Sequence, residues 1–293
     1  MIYWEVFKKS IKEYKFQEAM NYSSSIAFYL IFSLPAILVI TVSVASAAYA
    51  DDVVRTNLIQ QFENLFGPES ADVINKVLSN ADGLGSSLWT KIVGLVTLLI
   101  SATTVFASLQ DGLNRIWGLE SKPDKNLFNF IKNRLLSLAM AISMGFLLLI
   151  SLAIDTFLSI SDEILINTFS ESLFNLVTVL NILLGFTIVT AVFASILKVL
   201  PDATIGWKDV LSGAILTTII FSIGKYAIGY YLGSSDLMSV YGAAGSFVLL
   251  LIWVYFSSMI LFFGATYTEV YFVEKYGEIK PYRRTKLVGE PDS

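Results

Sequence analysis

Six long apolar stretches limit what this chain can fold into: Ile26–Tyr49, Ile92–Leu109, Leu135–Leu158, Phe174–Leu200, Val210–Leu232 and Ala243–Tyr267. A helix needs roughly 20 apolar residues to cross the hydrocarbon layer of a bilayer. Each stretch meets or nearly meets that length with few or no charges. Only 15% of the residues are charged, against about 25% in soluble domains. The expected fold is an all-α membrane protein with six transmembrane helices over 26–270. A segment over 1–25 precedes them, and a basic tail over 271–293 follows. The four lysines ahead of the first stretch, and the small residues Ala45 to Ala50 at its end, resemble a signal peptide with its cleavage site. The run is long enough to span, so a retained first helix is the expectation.

Basic residues set the orientation, because loops rich in Lys and Arg stay on the cytoplasmic side. All of the 20 basic residues except Arg55, Lys76, Lys91 and Lys225 fall in the N-terminal segment, the second and fourth loops, or the tail. The opposite loops are acidic, with Asp51, Asp52, Glu63, Glu69, Asp72 and Asp82 in the longest of them. Both termini are therefore expected to be cytoplasmic, in a protein that crosses its membrane six times.

Two parts do not span. Residues 2–20 set Ile2, Tyr3, Val6, Phe7, Ile11 and Tyr14 against lysines and glutamates, the pattern of an amphipathic helix. It either lies in the membrane interface or packs under the bundle. The outer loop, 51–90, repeats Val54, Leu58, Phe62 and Leu65, then Val73, Ile74, Val77 and Leu78, at helical spacing. Gly67-Pro68 divides the two sets. Two short amphipathic helices are expected there, forming a lid over a cavity or a plain surface cap.

The chain has no cysteine and no histidine. That removes thiol nucleophiles, imidazole acid–base chemistry and Cys/His zinc sites. No Gly-rich phosphate loop of the Walker type occurs either. No catalytic residue, metal or cofactor is assigned.

Ionisable residues inside a membrane are costly and mark functional sites. Lys225 lies within the fifth stretch. It either snorkels to the outer interface or faces a cavity with Tyr226 and Tyr241. Pro35 in the first stretch, near Tyr29, kinks a cavity wall or serves packing. Trp253 sits near the middle of the sixth stretch, where its N–H has no bulk water, so it is expected to face the bundle or a cavity. Asp111, Asn114 and Arg115, with Glu269, form a polar cluster at the inner mouth. Its plain alternative is an Asp111–Arg115 pair at i,i+4 at an ordinary helix end. Close helix packing accounts for Gly264 and its neighbouring glycines.

Three segments carry a family resemblance: Ser25 to Pro35 (SIAFYLIFSLP), Asp111 to Gly118 (DGLNRIWG), and Tyr241 to Ser246 (YGAAGS) running into Leu251 to Tyr255 and Gly264-Ala265. Leu200-Pro201-Asp202 and Gly213-Ala214 fit as well. Together they resemble the YihY/BrkB family of bacterial membrane proteins, once labelled ribonuclease BN-like. The resemblance implies six helices in the bacterial cytoplasmic (inner) membrane and little about activity; export or flipping of lipid-like molecules and ion exchange are both associated with the family. The chain departs from the family at Thr266, where a glutamate is usual; the next acid, Glu269, is three residues on. A ribonuclease is not expected, since no basic groove with interleaved aromatics occurs, and no nucleic acid partner is assigned.

The leading functional expectation is a transporter-like protein moving a lipid or other amphiphile through an inter-helix cavity. A membrane scaffold is the alternative. An ion exchanger lacks its usual midplane carboxylates, and an enzyme lacks a visible nucleophile–base pair. The lipid bilayer is the one assigned partner, and oligomeric state is left open.

Overall fold

The computed structural model describes residues 2–45, 50–66, 74–76, 78–79, 104–121, 171–234, 245–279, 281 and 285–287. The third apolar stretch, most of the second, residues 83–87 and Tyr241 lie outside the described residues. What is described is mostly helical. Helices α1 (Ile2–Glu13), α2 (Phe16–Ala45) and α3 (Asp51–Phe66) come first. The helical segment α4 (104–116) follows, then β1 (Leu119–Ser121), α5 (Glu171–Val199), α6 (Trp207–Ser234), α7 (Gly245–Tyr276) and β2 (Thr285–Leu287). Among the described residues three helices are long and apolar enough to cross a membrane, over Ile182–Val199, Trp207–Ala227 and Leu250–Tyr276.

Local chemistry explains the helix boundaries. Glu5 in the first turn of α1 and Lys12 in its last complement the helix dipole. Phe16 N–H then donates to Tyr14 O at 2.8 Å, a tight turn into α2. Helix α2 begins well ahead of its apolar run and continues through Pro35. Helix α4 ends at Gly118 and α7 at Gly277, whose φ values are 67° and 93°. Left-handed backbone favours glycine because no Cβ clashes there. Pro201 separates α5 from α6.

Helix α7 is the hub, packing against α6, α2 and α1, while α5 packs against α6. Phe262, Leu113, Ile116, Leu197, Val210 and Val270 are almost wholly buried around it. Faces turned away from the hub are apolar but exposed: Leu211, Ile215, Ile219 and Ile223 repeat every four residues along α6. That arrangement suits lipid as the surrounding solvent.

The seam between α6 and α7 depends on two glycines. A Cβ on Gly213 would lie 1.9 Å from Thr268 Oγ1, and one on Gly264 would lie 1.8 Å from Thr217 Oγ1. Each threonine thus occupies the space a side chain would take on the facing helix. Its hydroxyl donates back into its own helix: Thr217 to Gly213 O at 2.7 Å, and Thr268 to Gly264 O at 2.8 Å. Polar groups are satisfied within each helix, so the backbones approach closely.

The N-terminal helix packs across the last turns of α7. Val6 is buried with Tyr267 and Val270. The Tyr3 and Tyr271 rings stack at 5.9 Å, and Phe7 meets Phe263 edge-on. Tyr14 donates to Met259 O at 3.0 Å. The segment therefore packs on the bundle through one face, and its other face leaves Trp4, Ile11 and Phe16 exposed.

One element departs from the all-α expectation. Leu119–Ser121 pairs antiparallel with Thr285–Leu287, and Ala203 bridges Pro281. The tail therefore ties the segment after α4 to the turn between α5 and α6. A three-residue strand leaves no alternating pattern long enough to read, which is why periodicity misses it. In the first long loop, α3 is helical as expected, and Val54, Ile74 and Leu78 are buried.

Candidate functional site between α2 and α4

Helix α1, the last turns of α7 and the tail meet at one end of the bundle. A polar cavity of about 580 Å³ opens there. Glu18, Asn21 and Tyr22 on α2 form one wall; Asp111, Asn114 and Arg115 on α4, with Leu119 and Glu120 on β1, form the other. Gly112 brings the walls together, since a Cβ there would lie 2.6 Å from the Phe262 ring and 3.0 Å from that of Tyr22.

Asn114 is the anchor of this site and is only 3% exposed. Its Nδ2 donates to Asp202 Oδ2 at 2.8 Å, and its Oδ1 accepts the Asp202 backbone N–H at 2.8 Å. Gln110 Nε2 donates to Asp202 Oδ1 at 3.2 Å. Two turns of α4 thus hold the residue that follows Pro201, joining two chain segments that are distant in sequence. Trp117 Nε1 donates to Ala265 O at 3.0 Å, fixing α4 to α7. Lys15 Nζ donates to the carbonyls of Arg115 and Ile116 at 3.1 and 2.9 Å, which caps the end of α4.

The alternative i,i+4 pairing of Arg115 with Asp111 is not what forms. Arg115 Nε donates instead to Glu18 Oε2 at 2.9 Å, across to α2. Asp111 keeps an exposed edge on the cavity. Desolvation by the surrounding protein, then the Asp202 charge, push its carboxyl above the ordinary 3.8. Burial, then the charges of Asp111 and Glu18, likewise raise the Tyr22 hydroxyl above 10, so it stays protonated at neutral pH.

The remaining candidates lie elsewhere. Lys225 and Tyr226 are exposed on α6, Tyr226 to 78%. Trp253 is half-buried on α7 and meets Phe221 edge-on at 5.7 Å. Tyr29 is exposed on α2 beside Phe28. Glu269 is half-buried on α7, within electrostatic reach of Lys15 and Glu13 rather than in the cavity wall. Thr266 is buried and donates to Phe262 O at 3.0 Å. Of the expected inner-mouth cluster, Asp111, Asn114 and Arg115 come together and Glu269 stands apart.

Sequence reasoning did not assign Glu18, Asn21 and Tyr22 to the site. The signal was present on α2. Glu18, Tyr22, Ser25 and Tyr29 form one ridge at helical spacing, and Gln17, Asn21, Ser24 and Phe28 form the next. Along both, polar residues give way to aromatics toward the apolar run. Ser24 and Ser25 donate back to Met20 O and Asn21 O at 2.8 and 3.0 Å, so neither hydroxyl is unsatisfied.

Long apolar helices around a small-residue seam, with a polar cavity at one end, define a helical membrane protein. The family described as "Virulence factor BrkB" matches residues 10–286, and the chain belongs to it. A UPF0761 membrane protein of Alteromonas mediterranea is 26% identical over 268 residues, covering 90% of this chain and 86% of that protein. One from Actinobacillus pleuropneumoniae is 22% identical, covering 87% of this chain and 89% of its own length. One from Saccharophagus degradans is 24% identical and matches over 90% of this chain, which spans only 58% of that relative. No solved structure matches.

Proposed function

We propose that this protein crosses the bacterial cytoplasmic membrane six times, with both termini inside, and moves a lipid or other amphiphile through a cavity between its helices. The observation that carries the reading is the polar cavity at the start of α2, continued by the two ridges of α2 that turn from polar to aromatic and end on the exposed Phe28 and Tyr29. A polar headgroup fits the cavity, lined by Asn21, Tyr22, Asp111 and Asn114. The Phe28–Tyr29 end of the ridges suits an acyl chain. Binding groups of both characters side by side are what an amphiphile requires.

The natural chain has no cysteine, so single cysteines report cleanly. Asn21→Cys is expected to react with a membrane-impermeant thiol reagent applied from the cytoplasmic side only. A saturating lipid-like amphiphile should protect it. Failure to react from either side would remove the open cavity. Reaction without protection by any amphiphile would favour the scaffold reading.

A further inference from the structure

A second cavity, of about 570 Å³, lies where α1 crosses the end of α7. Glu5, Val6 and Lys9 line it from α1, and Tyr271, Glu274 and Lys275 from α7. It is separate from the cavity of α2 and α4, with which it shares no lining residue.

Its depth in the membrane follows from helix length. The span Leu250–Tyr276 has 27 residues, which at 1.5 Å per residue extends about 40 Å. The hydrocarbon layer is only about 30 Å thick, and the headgroup layers bring the total to roughly 40–45 Å. The final turns of α7, from Tyr271 on, therefore reach the headgroup layer. Exposed Tyr3, Trp4 and Tyr276 surround the same level, as interfacial aromatics do.

The charges of the lining alternate and sum to zero. Lys9 hydrogen-bonds Glu274 across the cavity, and that bond keeps the ammonium charged. Lys275 Nζ donates to Asp209 Oδ1 at 2.8 Å. Asp209 sits in the first turn of α6 and also accepts from Tyr276 at 3.2 Å. Lys9 also lies 3.9 Å from the Glu13 carboxylate on its own helix; each ammonium has three N–H donors, so both lysines still retain one. Glu5 has no ion-pair or hydrogen-bond partner among the described residues.

Two cations with spare donors and one free carboxylate suit a ligand that carries both signs. A purely anionic headgroup would meet Glu5 and Glu274. A quaternary ammonium has no N–H to give Glu5, whereas a primary ammonium has three. We propose that this cavity holds the headgroup of an amine-bearing zwitterionic phospholipid, its phosphate on Lys9 and Lys275 and its ammonium on Glu5. The site does not depend on the transport reading, and the lipid acts there as a fixed clasp between α1 and α7.

Native mass spectrometry of the purified full chain, offered equal amounts of phosphatidylethanolamine, phosphatidylcholine and phosphatidylglycerol, tests it. One phosphatidylethanolamine should be retained, about fivefold over either competitor, the scale of one exposed charge pair. Glu5→Gln should bring phosphatidylethanolamine down to the phosphatidylcholine level and leave phosphatidylcholine unchanged. Lys9→Gln should lower both, because both present a phosphate. Equal retention of the three lipids, preference for phosphatidylglycerol, or an undiminished preference in Glu5→Gln would overturn the proposal. So would occupancy by soluble phosphoethanolamine in place of the lipid. Far-UV circular dichroism of each variant confirms that α1 and the bundle remain folded.

Discussion

The seam between α6 and α7 and the polar end around Asn114 hold the same bundle together by opposite means. At the seam, the absence of side chains on Gly213 and Gly264 lets Thr268 and Thr217 seat against bare backbone. Every hydroxyl there is satisfied inside its own helix, so the contact is dry and tight. At the polar end the side chains themselves reach across: Asn114 to Asp202, Trp117 to Ala265, Arg115 to Glu18. Contacts of that kind join loops and helix ends and leave a cavity between them. The seam has no room for a ligand. The polar end has room and polar groups, which is why the functional reading is placed there.

The largest effect is expected at the seam. Gly213→Leu forces a branched side chain into space held by Thr268 and should cost about 3 kcal/mol or more, read as a lower melting temperature in mild detergent. Gly213→Ala should cost less and be partly relieved by Thr268→Ala, since Thr268 Oγ1 is the atom its Cβ meets first. Equal melting temperatures for wild type and Gly213→Leu would break the account of the seam. Next comes Asn114→Ala, which strands the Asp202 backbone N–H and removes a donor from its carboxylate. A loss of about 2 kcal/mol is expected, with the melting transition as readout, and Asn114→Asp should not restore it because a second carboxylate would face Asp202.

A smaller effect concerns pH. Since the folded protein raises the Asp111 carboxyl above 3.8, the unfolded chain ionises first as pH rises. The group is neutral in both states well below that value. Stability is therefore lost as pH climbs through the raised folded value. Asp111→Asn should flatten the melting temperature between acid and neutral pH and raise it at pH 7; an unchanged profile would show that the carboxyl is not desolvated. The smallest effect is expected on the far side of α6. Ile219→Ala removes a side chain that faces away from the hub and should cost under about 0.5 kcal/mol in detergent. A loss as large as that of Gly213→Leu would mean the outer face of α6 is packed against protein.

Much of the helical architecture was legible because its causes are local. Apolar length marks α5, α6 and α7. Amphipathic spacing finds α1 and α3. Gly264 reads as a packing glycine, although its partner Thr217 lies 47 residues earlier and has no signature of its own. What stayed hidden depends on long-range geometry. Arg115 has Asp111 one turn away in sequence, yet it pairs with Glu18, 97 residues off. Which carboxylate wins depends on how α2 and α4 lie against each other, set by Gly112, Tyr22 and Phe262. The β1–β2 pairing was equally hidden, because three residues carry too little pattern and the partner strands are more than 160 residues apart. Lys225 shows the reverse case. It is the most conspicuous charge in an apolar stretch, and it is exposed on α6 away from both cavities.

The most direct test of the central claim is transbilayer movement of a fluorescent lipid in liposomes reconstituted with the purified protein. Wild-type protein is expected to speed the movement well above protein-free liposomes. Asn114→Ala, which disturbs the cavity wall, should slow it toward the protein-free rate while Ile219→Ala leaves it unchanged. Movement no faster than in protein-free liposomes across a panel of headgroups, or an Asn114→Ala protein as fast as wild type, would contradict the account.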